Sequence, residues 1–445
     1  MAQERKGSQM TAQLYVGAAR SNITPKLGSH MQGSFADRVA EDVYDELNAQ
    51  AVVLQNEQNA IAIVVCDVIG LYKRHVDMAK ERASELTGIP AENIFISATH
   101  THYGPNTLEL AHLPHEAEYT EWAMAKTADA VKLAHNRLQA ARVGHASGSC
   151  PEETHNRRWH MKDGTVQMNP GYQNPECLRP AGPTDPEVAV AVFIGEDSLP
   201  IAAIANYSLH YVGSSASNTI SANYFGAFGR ALQRIAGSEF VAIMANGCCG
   251  NINNPDVTRP APPMPHPHYQ VERVASVVAA RAYAAWQQIR EYDTEPVLGA
   301  ITEMVDFRRR ESSEDELVRA RELYESKNDP ADRDWIYALE AVKVAEFPLV
   351  RPVPVMGIRI GDLGIVGVPG EMFVEYGLQI KARSPFMRTM TIELANDFVG
   401  YCPTDVGLEE GGYETWLCRW AMAAPGTEAQ MVAAGLNVLE ELALR

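Results

Sequence analysis

Residues 93–105 read Asn-Ile-Phe-Ile-Ser-Ala-Thr-His-Thr-His-Tyr-Gly-Pro, a short apolar run that leads directly into His100 and His102. The apolar run has the length and composition of a buried strand, and the Gly-Pro pair ends the element. Side chains two residues apart on extended backbone point to the same side, so both imidazoles are expected to face one point at the strand's exit. Such a pair is either half of a metal site or two ordinary polar residues at a strand end.

The segment before this strand predicts a parallel β-α-β unit. Residues 51–65 contain two apolar runs around a polar turn, and Asp67 follows the second run. Residues 75–87 have helical spacing and precede the strand at 94–97. In open α/β sheets, functional sites collect beyond the carboxyl ends of the strands. We therefore expect Asp67 and the two histidines to lie at one edge of the sheet.

Further polar side chains follow later predicted strands. His210 comes shortly after the apolar run 201–205, and Glu371 follows the run 365–368. A glutamate at such a position is either an exposed turn residue or a metal carboxylate that faces inward. Two histidines and one carboxylate with an open position form the ligand set of a hydrolytic zinc site, which lowers the pKa of bound water towards neutrality.

Composition and charge restrict the class of protein. The 445-residue chain has 38 Lys and Arg against 56 Asp and Glu, a formal net charge of −18 at pH 7. This charge disfavours sequence-independent binding to nucleic acid or to an anionic membrane, so we expect neither a nucleic-acid partner nor membrane insertion.

Strands that alternate with helices in the first half, followed by denser strands, predict an α/β fold with a mixed sheet.

The chain is expected to form a single catalytic domain over residues 13–445. Residues 1–12 are polar, contain no apolar segment of a secretory signal, and are predicted to be a flexible N-terminal tail. No run reaches the length of a membrane-spanning helix. We therefore predict a soluble, cytoplasmic protein. Residues 307–345 are charge-dense with a weak apolar stripe, which predicts a surface helical excursion.

The seven cysteines are odd in number and irregularly spaced, which argues against a disulfide framework. Cys248 and Cys249 are adjacent between two glycines. A redox or metal-binding pair is one reading of them, but we predict small packing residues. They belong to the loop 246–255, whose small and Asn residues predict a tight turn that approaches another group closely. The loop lacks the glycine spacing and lysine of a nucleotide-phosphate loop.

The amino-acid sequences of these segments, and their order along the chain, resemble those of the neutral/alkaline ceramidase family. The resemblance covers nearly the whole chain, and the string Thr-His-Thr-His-x-Gly-Pro at 99–105 is specific. It rests on residues 16–25, Cys66-Asp67, 97–105, Asn156-Arg157, 182–186, 206–210, 246–255, 368–371, Gly400-Tyr401 and Tyr413-Glu414. The fold that it implies has four layers, two packed mixed β-sheets flanked by α-helices.

Carried over residue by residue, the resemblance implies a zinc ion bound by His100, His210, Glu371 and Tyr401. A tyrosine ligand is unusual, but zinc favours the phenolate because the cation stabilises the charged form. The resemblance places His102 beside the metal as a hydrogen-bond donor or proton relay.

The resemblance also assigns roles around the metal. Arg157 and Tyr413 match positions that contact the substrate or the developing oxyanion. Asp67 matches a carboxylate that is able to orient a ligand histidine from outside the ligand set.

Two departures separate this chain from typical ceramidases. Asn253 stands where those enzymes carry a serine that contacts the zinc and is assigned as nucleophile. An amide cannot serve as that nucleophile, although Asn253 remains a candidate catalytic-site residue. The chain also ends soon after Tyr413, whereas ceramidases continue into a β-rich domain, so we expect a long-chain membrane lipid to be a poor substrate.

The sequence thus predicts a zinc-dependent hydrolase that cleaves an amide, ester or lactone bond of a small polar metabolite through metal-activated water. Zinc, His102 and Tyr413 would stabilise the oxyanion, and Arg157 would hold an anionic or polyhydroxylated part of the substrate. Two alternatives stay open, a neutral ceramidase that tolerates Asn253 and a non-catalytic zinc-stabilised binding protein. The oligomeric state also stays open, a homo-oligomer included.

Overall fold

The structure, a computed structural model, describes residues 13–326 and 329–445. The predicted tail at residues 1–12 lies outside the described residues. The strands of the two main sheets are, in chain order, β1 (Tyr15–Asn22), β2 (Asn48–Gln55), β3 (Ala60–Cys66), β4 (Ile94–Ala98), β5 (Gln139–Ser149), β6 (Glu187–Gly195), β7 (Pro200–Tyr207), β8 (Val241–Asn246), β9 (Leu298–Arg308), β10 (Val350–Ile360), β11 (Leu363–Gly367) and β12 (Arg388–Ile392).

The first sheet has eight strands in the order β8-β7-β6-β5-β1-β2-β3-β4. Its parallel pairs are the outermost ones, β7 with β8 and β3 with β4, and the neighbours between them are antiparallel. The side chains of Ile61 to Val65 are all buried, as expected for a strand covered on both faces. The predicted β-α-β unit is present, because the helix Lys73–Thr87 connects β3 to its parallel neighbour β4.

The second sheet has four strands in the order β9-β10-β11-β12. The first three strands run antiparallel, and β11 pairs with β12 in parallel. Both main sheets are therefore mixed, as predicted.

Helices cover the outer faces of both sheets. Their bounds are α1 (Lys73–Thr87), α2 (Ala117–His135), α3 (Asn223–Ala236), α4 (Tyr269–Trp286), α5 (Glu314–Ser326), α6 (Arg333–Ala345), α7 (Val374–Arg383), α8 (Asp405–Glu410) and α9 (Thr427–Leu444), with single 3₁₀ turns at Ala91–Asn93 and Tyr413–Thr415. The first helix ends at Gly88, whose φ of 78° lets its N–H bond the carbonyl of Ser84. Among the described helices, none combines the length and the hydropathy that crossing a bilayer requires.

The layers follow from where the apolar side chains meet. Between the sheets, Val52 and Ile63 of the first pack in one cluster with Ile358 and Ile365 of the second. Each fully buried side chain of this kind contributes about 1.5–3 kcal/mol, so this contact is a major source of stability. Helices α1 to α4 cover the other face of the first sheet, and α7 and α9 cover the second. The predicted four-layer α/β fold is confirmed.

Residues 307–345, predicted to be a surface helical excursion, contain two helices that differ in burial. Helix α5 contains no buried residue, whereas α6 buries Trp335, Ile336 and Leu339 against the core beside α1 and α2. Phe307 belongs to β9 and is also buried. Charge density did not reveal this difference, because the apolar face of α6 is short and its partners are distant in sequence.

Residues 393–396 join the two edges of the first sheet. Glu393 N–H donates to the carbonyl of Asn246 at the end of β8, 3.1 Å away, and Asn396 N–H donates to that of Ile96 in β4, 2.8 Å away. The eight-stranded sheet therefore curls until its outermost strands lie close to the segment that leaves β12. This closure brings residues that follow distant strands into one place.

Shorter ladders line the loops on this side of the molecule. They are His30–Met31 with Arg38–Val39, Asp42–Val43 with Thr219–Ile220, His155–Asn156 with Ile252–Asn253, Glu371–Met372 with Tyr401–Cys402, and Arg158–Met161 between Val166–Met168 and Cys177–Pro180.

Candidate active site

A pocket of about 590 Å³ opens where the loops after β4, β7 and β11 converge. Its lining includes all four residues to which zinc ligation was assigned, His100, His210, Glu371 and Tyr401. It also includes the other predicted residues of the reaction centre, His102, Arg157, Asn253 and Tyr413. The structure thus brings together every predicted site residue except Asp67.

The three histidines face one another at the bottom of this pocket. The ring centroids of His100 and His210 are 4.6 Å apart, and those of His100 and His102 are 4.7 Å apart. Their candidate ligand nitrogens all lie within 4.8 Å of one another. We expected His100 and His102 to lie on extended backbone. This expectation is wrong, because His100 has a φ of 68°. This left-handed turn, and not strand alternation, directs both rings to one point.

Backbone carbonyls orient two of the imidazoles. His100 Nδ1 lies 2.6 Å from the carbonyl oxygen of Ile69, and His102 Nδ1 lies 3.1 Å from that of Gly33. A carbonyl accepts only, so each Nδ1 carries a proton, and in the neutral form of either ring the Nε2 atom is then unprotonated. These two Nε2 atoms are 3.1 Å apart. Two lone pairs at that distance repel each other unless a cation lies beside them.

The buried acceptors around them support the same conclusion. Glu371 Oε2 lies 3.3 Å from His100 Nε2. Within the described residues, neither Glu371 Oε2 nor His210 Nε2 has a hydrogen-bond partner, although both are buried. A buried polar atom without a partner costs about 1–3 kcal/mol. Converging nitrogen and carboxylate acceptors without donors fit a divalent cation, and the donor types fit zinc.

Burial keeps the neighbouring histidines neutral. It lowers the pKa of both His210 and His102 well below the usual value, and the electrostatic interaction with the neighbouring His100 lowers both further. Neutral imidazoles are the form that binds a metal.

Tyr401 reaches the site through its pairing with Glu371. The two residues are opposite each other in a short parallel ladder, and the guanidinium of Arg157 lies 5.1 Å from the centroid of the Tyr401 ring. Burial raises the pKa of Tyr401, and Arg157 opposes that shift. A bound cation would oppose it further by stabilising the phenolate.

Glu414 holds Arg157 in the site. Its Oε1 accepts from Arg157 Nε at 2.7 Å, and its Oε2 accepts from Arg158 Nη1 at 2.9 Å. All three side chains are buried. Arg157 lines the pocket, its guanidinium also hydrogen-bonds the phenol of Tyr401, and its buried Nη2 has no partner in the hydrogen bonds of the described residues. Rigid placement by a buried carboxylate suits a residue that must meet a developing negative charge.

Tyr413 and Asn253 occupy the wall beside the metal ligands. The Tyr413 ring lies 5.8 Å from that of Tyr401, and burial raises the pKa of its phenol. Tyr413 is therefore a hydrogen-bond donor near neutral pH. The Oδ1 of Asn253 accepts from the N–H of Asn254 at 2.9 Å, and its Nδ2 makes no hydrogen bond within the described part of the chain. The amide therefore offers a donor to the pocket.

Asp67 lies outside this constellation. Its Oδ2 accepts from the N–H of Asn48 at 2.8 Å, and it contacts no site histidine through the hydrogen bonds of the described residues. The Nδ1 atom that we expected a carboxylate to orient is instead bonded to the carbonyl of Ile69. Burial raises the pKa of Asp67 to about 8.

Sequence reasoning missed two residues behind His210. Cys249 Sγ lies 3.7 Å from His210 Nδ1, and it donates to Glu393 Oε1 at 2.9 Å. Cys249 is therefore more than the packing residue that we predicted. Burial raises the pKa of Glu393, and hydrogen bonds from the Cys249 side chain and backbone oppose this shift. Glu393 directly follows β12, so the strand-end rule that singled out Glu371 was the available signal.

Away from the ligands, the pocket wall is largely apolar. Its large apolar members are Phe35, Leu108, Leu110, Leu113, Met168, Phe398, Trp416 and Trp420. Arg333, the first residue of α6, is exposed and also lines the pocket, with its guanidinium 5.5 Å from the ring centroid of Phe35. The site thus joins a polar reaction centre to an apolar chamber.

Comparison with solved structures places this fold. The chain is similar to the neutral ceramidase from Pseudomonas aeruginosa, with a TM-score of 0.73 and 16% identity over 97% of this chain and 74% of that one. It is also similar to a ceramidase complexed with C2, with a TM-score of 0.75 and 17% identity over 98% of this chain and 75% of that one. The fold is that of the neutral ceramidases, and the resemblance found in the sequence is confirmed at this level. No protein-family model and no curated protein matches the chain.

Proposed function

We propose that this protein is a zinc-dependent hydrolase that cleaves an amide, ester or lactone bond. The observation that carries the proposal is the convergence of buried, partnerless acceptors from His210 and Glu371 with the facing Nε2 atoms of His100 and His102. We propose that zinc is held by His100, His210, Glu371 and Tyr401. When bound, zinc activates a water molecule and polarises a carbonyl group.

The residues around the ligands have donors for a carbonyl that becomes an oxyanion. Arg157, Tyr413 and Asn253 all line the pocket, and their guanidinium, phenol and amide groups are hydrogen-bond donors. Donors that are already in position stabilise the developing charge without reorganisation. His102 is held by the carbonyl of Gly33, so its Nε2 is available to accept a proton near the reaction centre.

The pocket wall refines the expected substrate. A small polar metabolite would leave the apolar chamber unused. We propose a substrate whose scissile amide, ester or lactone group is polar and whose remainder is apolar, filling the space beside Phe35, Trp416 and Trp420.

A metal and activity assay tests this proposal. Purified protein should contain zinc and should hydrolyse nitrophenyl esters or N-acyl amides, within a series of acyl chains from acetyl to dodecanoyl. His100→Ala and Glu371→Ala should each lose zinc and reduce kcat/KM by at least about 10²-fold, because each removes a ligand. Full zinc occupancy together with full activity in either variant would refute the assignment. Lys126→Ala, on the outer helix α2, is the control and should match the wild type.

A second candidate, a neutral ceramidase, is favoured by the similarity of fold. A ceramide dispersed in detergent is the discriminating substrate. Release of fatty acid would support this candidate, whereas hydrolysis of short acyl substrates without it would reject it. A non-catalytic zinc protein is disfavoured because the ligands border an open pocket instead of a closed site.

A further inference from the structure

A buried thiol and a buried carboxylate lie directly behind His210. Cys249 Sγ is 3.7 Å from His210 Nδ1 and 2.9 Å from Glu393 Oε1. All three side chains are fully buried, with relative exposures of 0%. The contacts form an unbroken path from Glu393 through Cys249 to the histidine, on the side opposite the pocket.

The donors around Glu393 determine the direction of these hydrogen bonds. Its Oε2 accepts from the backbone N–H of Cys249 at 3.0 Å, and its Oε1 accepts from Asn246 Nδ2 at 3.3 Å. A carboxylate that already accepts from two N–H groups is an acceptor for the thiol proton as well. The sulfur then has its lone pairs free to accept the proton of His210 Nδ1.

This direction has a consequence for the other ring nitrogen. With its proton on Nδ1, neutral His210 presents a lone pair at Nε2, the atom that has no partner within the described residues. The opposite direction would put a proton on Nε2 and leave a buried donor without an acceptor. The path, together with a hydrogen bond between His210 and the Cys249 backbone, therefore favours the tautomer that binds a metal.

We propose that Cys249 and Glu393 are positioning residues for His210, and that the thiol relays the orienting effect of the carboxylate to the imidazole. The inference rests on the proposed zinc site. The groups that orient metal-bound histidines are commonly carboxylates or backbone carbonyls that accept the second ring N–H. The loss of such a group lowers metal affinity by about 10–100-fold. Here a cysteine stands between the acid and the ring.

Zinc affinity is the direct measurement, obtained by competition with a chromogenic chelator. Cys249→Ala and Glu393→Gln should each lower zinc affinity by about 10–100-fold. Cys249→Ser keeps both a donor and an acceptor, so it should recover most of the affinity that Cys249→Ala loses. Cys248→Ala is the matched control, because Cys248 is equally buried but packs with Val366 and Tyr376, away from His210. It should bind zinc like the wild type.

The outcomes separate the inference from the proposed function. A wild type that binds no zinc would overturn both. A wild type that binds zinc, with a Cys249→Ala variant of equal affinity, would overturn the inference alone. Circular dichroism of the metal-free variants shows whether each is folded. If Glu393→Gln does not fold, the comparison of Cys249→Ala with Cys249→Ser still tests the inference.

Cobalt substitution adds a spectroscopic signature. If Cys249 only positions His210, the cobalt-loaded wild type and its Cys249→Ser variant should have the same near-ultraviolet spectrum, without a thiolate charge-transfer band. Such a band in the wild type that is absent from the serine variant would make Cys249 a ligand and would overturn the positioning role.

Discussion

Gly250 lets the loop 246–255 lie directly against the backbone of a proposed zinc ligand. Its N–H donates to the carbonyl of Met372 at 2.8 Å. A Cβ at this position would be 2.3 Å from the carbonyl oxygen of Glu371. No side chain fits there unless the ligand-bearing segment moves.

Gly250→Ala should therefore displace Glu371 and lower both zinc affinity and kcat/KM by at least about tenfold, since misplacement of a reacting group by about 1 Å costs as much or more. Gly213→Ala is the control, because a Cβ at Gly213 meets open space. Zinc titration and steady-state kinetics measure both effects. Equal zinc affinity in Gly250→Ala and the wild type would show that the close contact is not needed.

We expect Asp67 to make the stability of the fold depend on pH, and we expect it to have no direct role in catalysis. Burial raises the pKa of its folded-state carboxyl to about 8, whereas an aspartate in an unfolded chain titrates near 3.9. Between these values the unfolded chain releases a proton that the folded protein retains. The free energy of unfolding therefore falls as the pH rises, because deprotonation stabilises the unfolded state relative to the folded one.

We expect Asp67→Asn to be less sensitive to pH than the wild type from about pH 4 to 8, with the difference growing by about 1.4 kcal/mol per pH unit in mid-range. Urea unfolding across this range provides the measurement. Asp77→Asn, at a half-exposed position of α1, should follow the wild-type profile. Parallel profiles for Asp67→Asn and the wild type would rule out the raised pKa.

At the scale of elements, helix α6 supports the apolar chamber. Its Glu340 is fully buried and accepts from the N–H of Ala111 at 2.8 Å and from the N–H of Arg419 at 2.9 Å. The Arg419 guanidinium also donates to this carboxylate at 2.6 Å. Ala111 and the neighbouring Trp420 line the pocket, so one carboxylate holds two segments of its wall.

Glu340→Gln should lower the free energy of unfolding by about 3 kcal/mol, because it leaves a mostly buried guanidinium without its counter-charge. It should raise KM for the longest acyl substrates more than it lowers kcat. Glu346→Gln is the control at the end of the same helix, where an exposed pair with Lys343 contributes little. A large loss of kcat at unchanged KM would place the effect at the reaction centre instead of the wall.

At the scale of the whole molecule, the proposed zinc ligands connect parts of the fold that are separate in sequence. His100 and His210 follow β4 and β7 of the first sheet, and Glu371 follows β11 of the second. A metal bound to all three holds both sheets together and binds only the folded chain. Zinc should therefore stabilise the protein by mass action.

Removal of zinc with a chelator should lower the Tm, and added zinc should restore it. At free zinc about 100-fold above its Kd, the stabilisation should be about 2.7 kcal/mol. Scanning calorimetry at several zinc concentrations measures the shift. Glu371→Ala should melt at a temperature that zinc barely changes. A wild-type Tm that does not depend on zinc would contradict the proposed site.

Much of the reaction centre was predictable because its residues obey local rules. His210 and Glu371 follow apolar runs, and the segment that includes His100 contains a specific sequence motif. The strand-end pattern and the family resemblance together therefore identified residues that line one pocket. Glu393 obeys the same strand-end rule but carries no recognisable motif. The buried half of α6 was not predictable, because its partners lie far along the chain.

The sequence by itself determined the alternation of strands and helices, an α/β fold with a mixed sheet and the set of polar side chains at strand ends, since apolar periodicity and turn residues act locally. The four-layer arrangement followed from the resemblance to a known family. Only the tertiary structure decided how these ends meet. His100 and His210 follow strands near opposite edges of an eight-stranded sheet, and their rings are 4.6 Å apart because residues 393–396 bond to both edges. Sheet curvature and closure depend on packing between distant segments, which no local pattern contains.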